Sequence, residues 1–289
     1  MIKIIVNKHA GSGKALTALN RVEEILKSKS ISYSVFDTEQ THNAVPVAKE
    51  VCSQPDTDTI IVMGGDGTLH EVLNGFDNFD KINLGIIPCG TGNDFASASD
   101  LPAETDKSLD VILNGEAKYT DFFQMGDIRG INVIGTGIDV DVLVRYAKHE
   151  KRTKGTYLKS LISALFHFKP YKISKTVNGK TTEHSSMVIV AANGRFIGGG
   201  LEVAPESVMD DGLIDVVMVD SMSKIAMPFA LVKLLKGKIL KLKKTTMERS
   251  KEVSFSLLGD GFVQVDGEIY SGVPMDIKLV SGKLKVYRP

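Results

Sequence analysis

The stretch "IIVMGGDGTLHEVLNG", residues 60–75, decides how this chain is read. An apolar, β-branched run gives way to three glycines within four residues, and among them stands one carboxylate, Asp66. The run reads as a buried strand, and the residues after the glycines read as the start of a helix. Ligands of open α/β sheets bind at the carboxyl ends of strands. Glycines there let backbone N–H groups approach a phosphate, and a helix N-terminus adds a favourable dipole. A carboxylate in such a cradle repels phosphate unless a cation intervenes. Mg²⁺, held by one or two carboxylates plus phosphate oxygens, is the natural mediator.

Outward from that stretch, IKIIV (2–6), YSVFDT (33–38), TIIVM (59–63) and LGIIP (84–88) read as strands. Residues 14–29 carry Leu16, Leu19, Val22, Ile25 and Leu26 at helical spacing. Residues 42–52 read as a second helix, with Asn43 as N-cap and Pro46 in the first turn. Alternating strands and helices with continuous apolar strands predict a parallel, Rossmann-like sheet covered on both faces.

After about residue 125 the texture changes. ISKTVNGKTTEHSSMVIVAAN, LIDVVMVD, VSFSLL, FVQVDG and PMDIKLV read as strands broken by Gly, Asp and Pro. Helices are expected only around 140–168 and 223–235. The expectation is an α/β domain over 1–124 and a β-sandwich-like domain over 125–289, with the active site in the cleft between them. KLKVY (283–287) either closes the second domain or returns to the first sheet.

The bulk numbers agree with a two-domain globular protein. The chain has 289 residues, 43% hydrophobic and 24% charged, with a formal net charge of zero. Zero net charge removes a global field for nucleic acid, so any basic patch is local. Two cysteines, Cys52 and Cys89, form neither a disulfide framework nor a metal-ligand pattern. No signal-peptide pattern opens the chain and no stretch of about 18 apolar residues occurs, so a cytoplasmic setting is expected.

Three loops come after strand signals: NKHAGSGK (7–14), GGDGT (64–68) and PCGTGND (88–94). The first is not a Walker A motif, because Lys14 precedes Ala15. Each loop alone is equally compatible with a plain tight turn. Asp94 stands in a place comparable to Asp66, and it also suits an N-cap. By local chemistry alone, Asp210-Asp211-Gly212 reads as a turn, Glu268 as a solvated charge in a hairpin turn, and Asp266 as a turn residue or secondary helper.

The order of four motifs resembles the diacylglycerol kinase catalytic-domain family. They are GGDGTLHEVLNG (64–75), GTGNDFA (90–96), GGGLEVAPESVMDDGLIDVV (198–217) and DGE (266–268). GGDG is shared with NAD kinases; the later motifs narrow the resemblance to lipid kinases, and it covers nearly the whole chain. It implies that Gly64, Gly65, Asp66, Gly67, Thr68 and Leu69 wrap ATP phosphates. Asn7, Gly11, Ser12, Gly13 and Lys14 match the family's first phosphate loop, and Thr38, Thr91 and Asn93 match nucleotide contacts. The family usually has NPxSG where this chain has Asn7-Lys8-His9-Ala10-Gly11, and His70 stands in the place of an Asn. The resemblance places Mg²⁺ at Asp211 and the carbonyls of Val208 and Leu213, linked to Asp66 and Asp94. It assigns Glu268 as the catalytic base, with Asp66 at the reacting phosphates.

The activity implied by the resemblance is that of an ATP- and Mg²⁺-dependent lipid kinase converting diacylglycerol to phosphatidic acid. Its partner is a lipid at a membrane surface, met transiently at the inner face, with a homodimer left open and no nucleic acid. The acyl tails need an apolar slot, expected in the β domain. Residues 146–172 and 236–251 combine Lys/Arg with apolar residues and suit anionic lipid, or form solvated faces. An NAD kinase-like phosphotransferase and a non-catalytic nucleotide-binding regulator are the competing readings. Only Ala192-Asn193-Gly194 approximates the NAD kinase dinucleotide motif, while Asp66, Asp94, Asp211 and Glu268 are all present.

Overall fold

The computed structural model describes residues 1–38, 43–150, 153–257 and 261–289. The chain forms two compact units, Met1–Asp121 with Ser281–Pro289, and Phe122–Val280.

In the first unit the elements are β1 (Ile2–Val6), α1 (Lys14–Ser28), β2 (Tyr33–Asp37), α2 (Ala44–Ser53), β3 (Thr59–Gly64), α3 (Asp66–Gly75), β4 (Asn83–Pro88), α4 (Asp94–Ala98) and α5 (Thr105–Asn114). β5 (Ala117–Met125) then leads out of it. The strands pair in parallel in the order β2-β1-β3-β4, with Ile4 between Val35 and Ile61. β3 is buried along its whole length, as a parallel strand covered on both faces must be. One face is closed by Ala15, Leu19, Val22 and Leu26 of α1 and by Leu109 and Ile112 of α5, against Ile4, Val6, Ile61 and Met63. Each large apolar side chain so buried contributes roughly 1.5–3 kcal/mol. Leu16, expected on that face, points to solvent instead, because the buried stripe runs through Ala15. Asn43 caps α2, its Oδ1 accepting from Val45 N at 2.8 Å. His42 of the proposed 42–52 helix lies outside the described residues.

The second unit holds β6 (Ile128–Gly130), β7 (Val133–Gly137), α6 (Ile138–Ala147), α7 (Lys154–His167), β8 (Tyr171–Val177), β9 (Lys180–Ala192), β10 (Phe196–Ile197), β11 (Leu201–Glu202), β12 (Ile214–Asp220), α8 (Met227–Leu235), β13 (Thr245–Ser250), β14 (Glu252–Leu257), β15 (Phe262–Val265), β16 (Glu268–Ser271) and β17 (Met275–Tyr287). The long β9 is the spine. Its first half pairs with β8, and its second half pairs with β7 and β12, all antiparallel. Ile134, Ile189, Val216, Val253, Val263 and Ile277 fill one core.

PMDIKLV and KLKVY, expected as two strands, are one continuous β17. Its end belongs to the first unit, where Val286 pairs in parallel with Leu84. Arg288 anchors it there, donating to Thr120 Oγ1 at 3.2 Å and to the Tyr119 carbonyl at 3.0 Å.

Candidate active site

In the first unit three loops lie beyond β1, β3 and β4, and glycines set their spacing. Gly64 O accepts from both Cys89 N (2.8 Å) and Gly90 N (3.1 Å), which pulls the β4 loop onto the β3 loop. A Cβ on Gly90 would stand 2.4 Å from Gly65 Cα. A Cβ on Gly11 would stand 2.0 Å from the Cys89 carbonyl, so the first loop also rests on the β4 loop. Gly11, Ser12 and Gly13 all have positive φ, at 61°, 58° and 91°, and α1 starts at Lys14 without a side-chain cap among the described residues. The amides of Lys14 and Ala15 donate to the Gly11 and Ala10 carbonyls at 3.5 and 3.3 Å, which winds the loop into α1, and the helix start favours an anion through its dipole. Ser12, Gly13 and Lys14 are exposed there.

Asn7 joins the first two loops, with Nδ2 donating to Thr68 Oγ1 at 3.4 Å and Oδ1 accepting from His9 N at 3.1 Å. Lys8 pairs with Asp37 at 2.7 Å. Thr38 is buried, its N–H on the Val6 carbonyl at 3.1 Å. His70 and Leu69 are buried on α3, and Asn74 Nδ2 donates to the His70 carbonyl at 2.8 Å. A side chain so placed is part of the packing, and Leu69 has only its backbone to offer a ligand.

Asp66 is the first residue of α3 and Asp94 the first of α4, where the helix dipole favours a carboxylate. Asp66 Oδ1 accepts from Phe95 N at 3.4 Å, so its carboxylate reaches the start of the helix that Asp94 opens. Asn93 sets the turn between, with φ 55° and a reciprocal pair of 2.9 Å hydrogen bonds to the Gly90 backbone. Thr91 is exposed on this loop. These carboxylate oxygens fit Mg²⁺ in kind, and that ion commonly takes one or two protein carboxylates with phosphate and water completing the shell. Among the described residues no three or more His, Cys, Asp or Glu side chains are already clustered to hold a metal.

In the second unit Asp211 closes its own turn, with Oδ1 accepting from Leu213 N at 2.9 Å and Gly212 at φ 74°. Val208 is exposed nearby in sequence. Glu268 is not in a hairpin turn. It is the exposed first residue of β16, opposite Val265. The turn is Asp266-Gly267, with φ 52° and 95°, the two positive values a type I′ hairpin requires.

Asp266 does more than make a turn. Its carboxylate accepts from Ile131 N (2.8 Å), Asn132 N (2.9 Å) and Val133 N (3.1 Å). Gln264 Oε1 accepts from Gly267 N at 2.8 Å. Beside Gln264 lies Asp139, whose carboxyl is pushed up to about 7 by burial, with only partial relief from the Val140 amide and the Gln264 side chain. Polar side chains of Asp266 and Gln264 thus brace the hairpin that carries Glu268. The Asp-Gly dipeptide between strand signals could have located the turn; nothing local could have located the three amides.

A shallow recess in this unit, lined by Thr136, Ile173, Val188, Ile189 and Leu257 among others, is open to solvent and encloses essentially no volume of its own. Small-molecule sites enclose roughly 300–1,000 Å³. Arg249, part of the basic stretch 236–251, is committed to Asp215 at 2.8 Å and to the Glu206 carbonyl at 3.1 Å. Lys151 and Arg152 of the other basic stretch lie outside the described residues. No helix among the described residues is long and apolar enough to cross a membrane.

Comparison with known proteins also breaks the chain between residues 125 and 132, although the second match runs on through 281–288, which belongs to the first unit here. The family model of the diacylglycerol kinase catalytic domain matches residues 1–125, and that of the YegS C-terminal NAD kinase beta sandwich-like domain matches residues 132–288. A diacylglycerol kinase of Mycobacterium tuberculosis is 28% identical, with 100% of this chain and 95% of the relative covered. A Bacillus anthracis structure described as a diacylglycerol kinase aligns with TM-score 0.81 at 25% identity, covering 100% and 96% of the two chains. An Archaeoglobus fulgidus NAD kinase solved with ATP shares the fold, with TM-score 0.53 at 13% identity over 100% and 94%.

Proposed function

Because the chain belongs to the diacylglycerol kinase catalytic-domain family, with its NAD-kinase-like β domain, we propose that it is an ATP-dependent lipid kinase. It transfers the γ-phosphoryl group of ATP to a lipid hydroxyl, diacylglycerol being the first substrate to test. The observation that carries this reading is the closure of two glycine loops on each other at Gly65 and Gly90, with Asp66 turned to the start of α4. In this reading phosphate is held beside that closure, where the Asp66 carboxylate oxygen lies.

Phosphoryl transfer needs in-line positioning, charge neutralisation and a group to take the hydroxyl proton. The Gly64–Thr68 backbone and the start of α1 donate to phosphate oxygens, and Lys14 adds positive charge. Asn7, Thr38, Thr91 and Asn93 frame the nucleotide. Mg²⁺, when bound, would supply charge neutralisation at the phosphates; Asp66 and Asp94 would hold it in the first unit, and Asp211 with the Val208 and Leu213 carbonyls would offer oxygen donors in the second. Glu268 accepts the proton of the lipid hydroxyl. The enzyme works at the cytoplasmic face of a membrane.

The test is transfer of label from γ-labelled ATP to a panel of diacylglycerol, monoacylglycerol, ceramide, sphingosine, an isoprenoid alcohol and NAD. Label in one or more lipids, dependent on Mg²⁺ and absent from NAD, supports the reading. Label in NAD alone points to an NAD kinase, and ATP binding without any transfer points to a regulator.

A further inference from the structure

Helix α8, MPFALVKLL, carries a single charged residue, Lys233. A helix apolar all round belongs inside a core. Only half of this one is. Met227 and Ala230 are buried, and Met227, Leu231 and Leu234 pack on Tyr157, Leu161 and Ala164 of α7. The opposite face is open: Ile225, just before the helix, is 83% exposed, Phe229 70% and Val232 48%. At 3.6 residues per turn Phe229 and Val232 share one face of the helix, and Ile225 stands exposed in the turn that leads into it. Ile162 and Phe166 of α7 are exposed one turn apart. The two ridges are neighbours, since Lys224 Nζ reaches the Phe166 carbonyl at 3.4 Å.

Charge surrounds this ridge with one sign. From Lys224 to Lys244 the sequence has seven lysines, and no acid occurs between Asp220 and Glu248. Lys236, Lys238, Lys241, Lys243 and Lys244 are exposed. Among the described residues, Glu202 of β11 comes near, its carboxylate beside Gly237, and so does Asp220 at the end of β12, whose N–H donates to the Lys244 carbonyl at 2.9 Å. In a chain of zero net charge this is a strong local asymmetry.

We propose that α8 docks on an anionic bilayer, inserting Ile225, Phe229 and Val232 among the acyl chains while the lysines meet lipid phosphates. An amphipathic helix with aromatic and aliphatic residues on one side and lysines around it lies in the interface plane, its apolar face below the headgroups. A second copy of the chain fits the charge badly. A two-fold interface sets the same patch against itself and would oppose lysines to lysines. The proposal rests on the lipid-kinase reading for its purpose, and its test needs no catalysis.

The chain has no tryptophan, so Phe229→Trp makes a single fluorescent reporter on the ridge. The probe is vesicles of phosphatidylcholine with and without phosphatidylglycerol. The expected result is a blue-shifted emission and quenching by brominated acyl chains, only with phosphatidylglycerol, and weakening as salt screens the lysines. Phe229→Ser with Val232→Ser should lower sedimentation with those vesicles about tenfold or more, with the wild-type melting temperature and full activity on a detergent-dispersed short-chain lipid. Absence of quenching overturns the proposal. A blue shift that grows with protein concentration without vesicles overturns it in favour of self-association. Insertion of the Phe229→Trp indole without phosphoryl transfer to any lipid would leave the docking surface standing and remove the kinase reading; transfer without insertion would do the reverse.

Discussion

Gly65 and Gly90 meet backbone to backbone: a Cβ on Gly90 would lie 2.4 Å from the Gly65 Cα, and one on Gly65 would lie 3.1 Å from the Gly90 Cα. The first distance cannot be tolerated, because the obstacle is main chain that no rotamer relieves. The second asks for only a small adjustment.

Gly90→Ala is therefore expected to force the β3 and β4 loops apart. Overpacking of this kind costs about 1–3 kcal/mol, and the displaced amides should weaken ATP binding. Thermal denaturation and calorimetric titration with ATP check both. Wild-type values in both would show that the loops do not depend on this contact. Gly65→Ala should be the milder of the two substitutions.

Glu268 and Asp266 lie two residues apart and should fail differently. Glu268 is exposed, so Glu268→Gln is expected to leave the melting temperature and ATP affinity unchanged while lowering kcat about 10²–10⁴-fold, the range for a positioned general base. Asp266 holds three backbone amides. Hydrogen bonds to a charged group contribute roughly 1.5–3 kcal/mol, so Asp266→Asn should lower stability as well as activity. Steady-state kinetics beside urea unfolding separate the two; equal destabilisation by both variants would contradict the assignment.

Asp139 predicts a pH dependence of stability. Burial pushes its carboxyl up to about 7, whereas in the unfolded chain an Asp titrates near ~3.9. Between those values the native state keeps a proton that the unfolded state has lost. Its contribution to stability is thus fully present below the unfolded value, falls as pH rises, and is gone above about 7. Asp139→Asn cannot titrate. Its stability relative to wild type should rise on the order of 2 kcal/mol between roughly pH 5 and 7, then level off. Urea unfolding of both proteins across that range is the measurement, and a pH-independent difference would refute the buried titration.

Cys52 and Cys89 are both buried, and burial raises both thiols, Cys89 to about 11. The thiolate is the reactive form. At neutral pH the folded protein should show almost no reaction with a thiol reagent, and both cysteines should react after denaturation. Rapid labelling of native Cys89 would show that the β4 loop opens, since Gly64 and Gly11 otherwise cover its backbone.

Much of the first unit was legible because its signals are local. Strands β1, β3 and β4 are short β-branched runs, α1 has helical apolar spacing, and Asn43 caps α2 as its residue type suggests. Periodicity and capping act over a few residues, so they survive in the sequence. The glycine loops were legible for the same reason, but only as loops. Their contact at Gly65 and Gly90 needs β3 and β4 to be neighbours, and strand pairing is not written in either strand alone.

The sequence by itself determined the strand-helix alternation, the change to β structure near residue 125, the glycine loops with Asp66 and Asp94, and the motif order that carries the family resemblance. Only the tertiary structure decided the rest. It merged 275–287 into one strand whose end lies beside β4, because parallel pairing with Leu84 is a long-range contact. It gave Asp266 three amides from residues 131–133, turned half of an apolar helix to solvent at Phe229, and committed Arg249 to Asp215. The physical reason is shared: burial, pairing and charge neutralisation depend on which distant residues arrive, while helix, strand and turn preferences depend on neighbours in the chain.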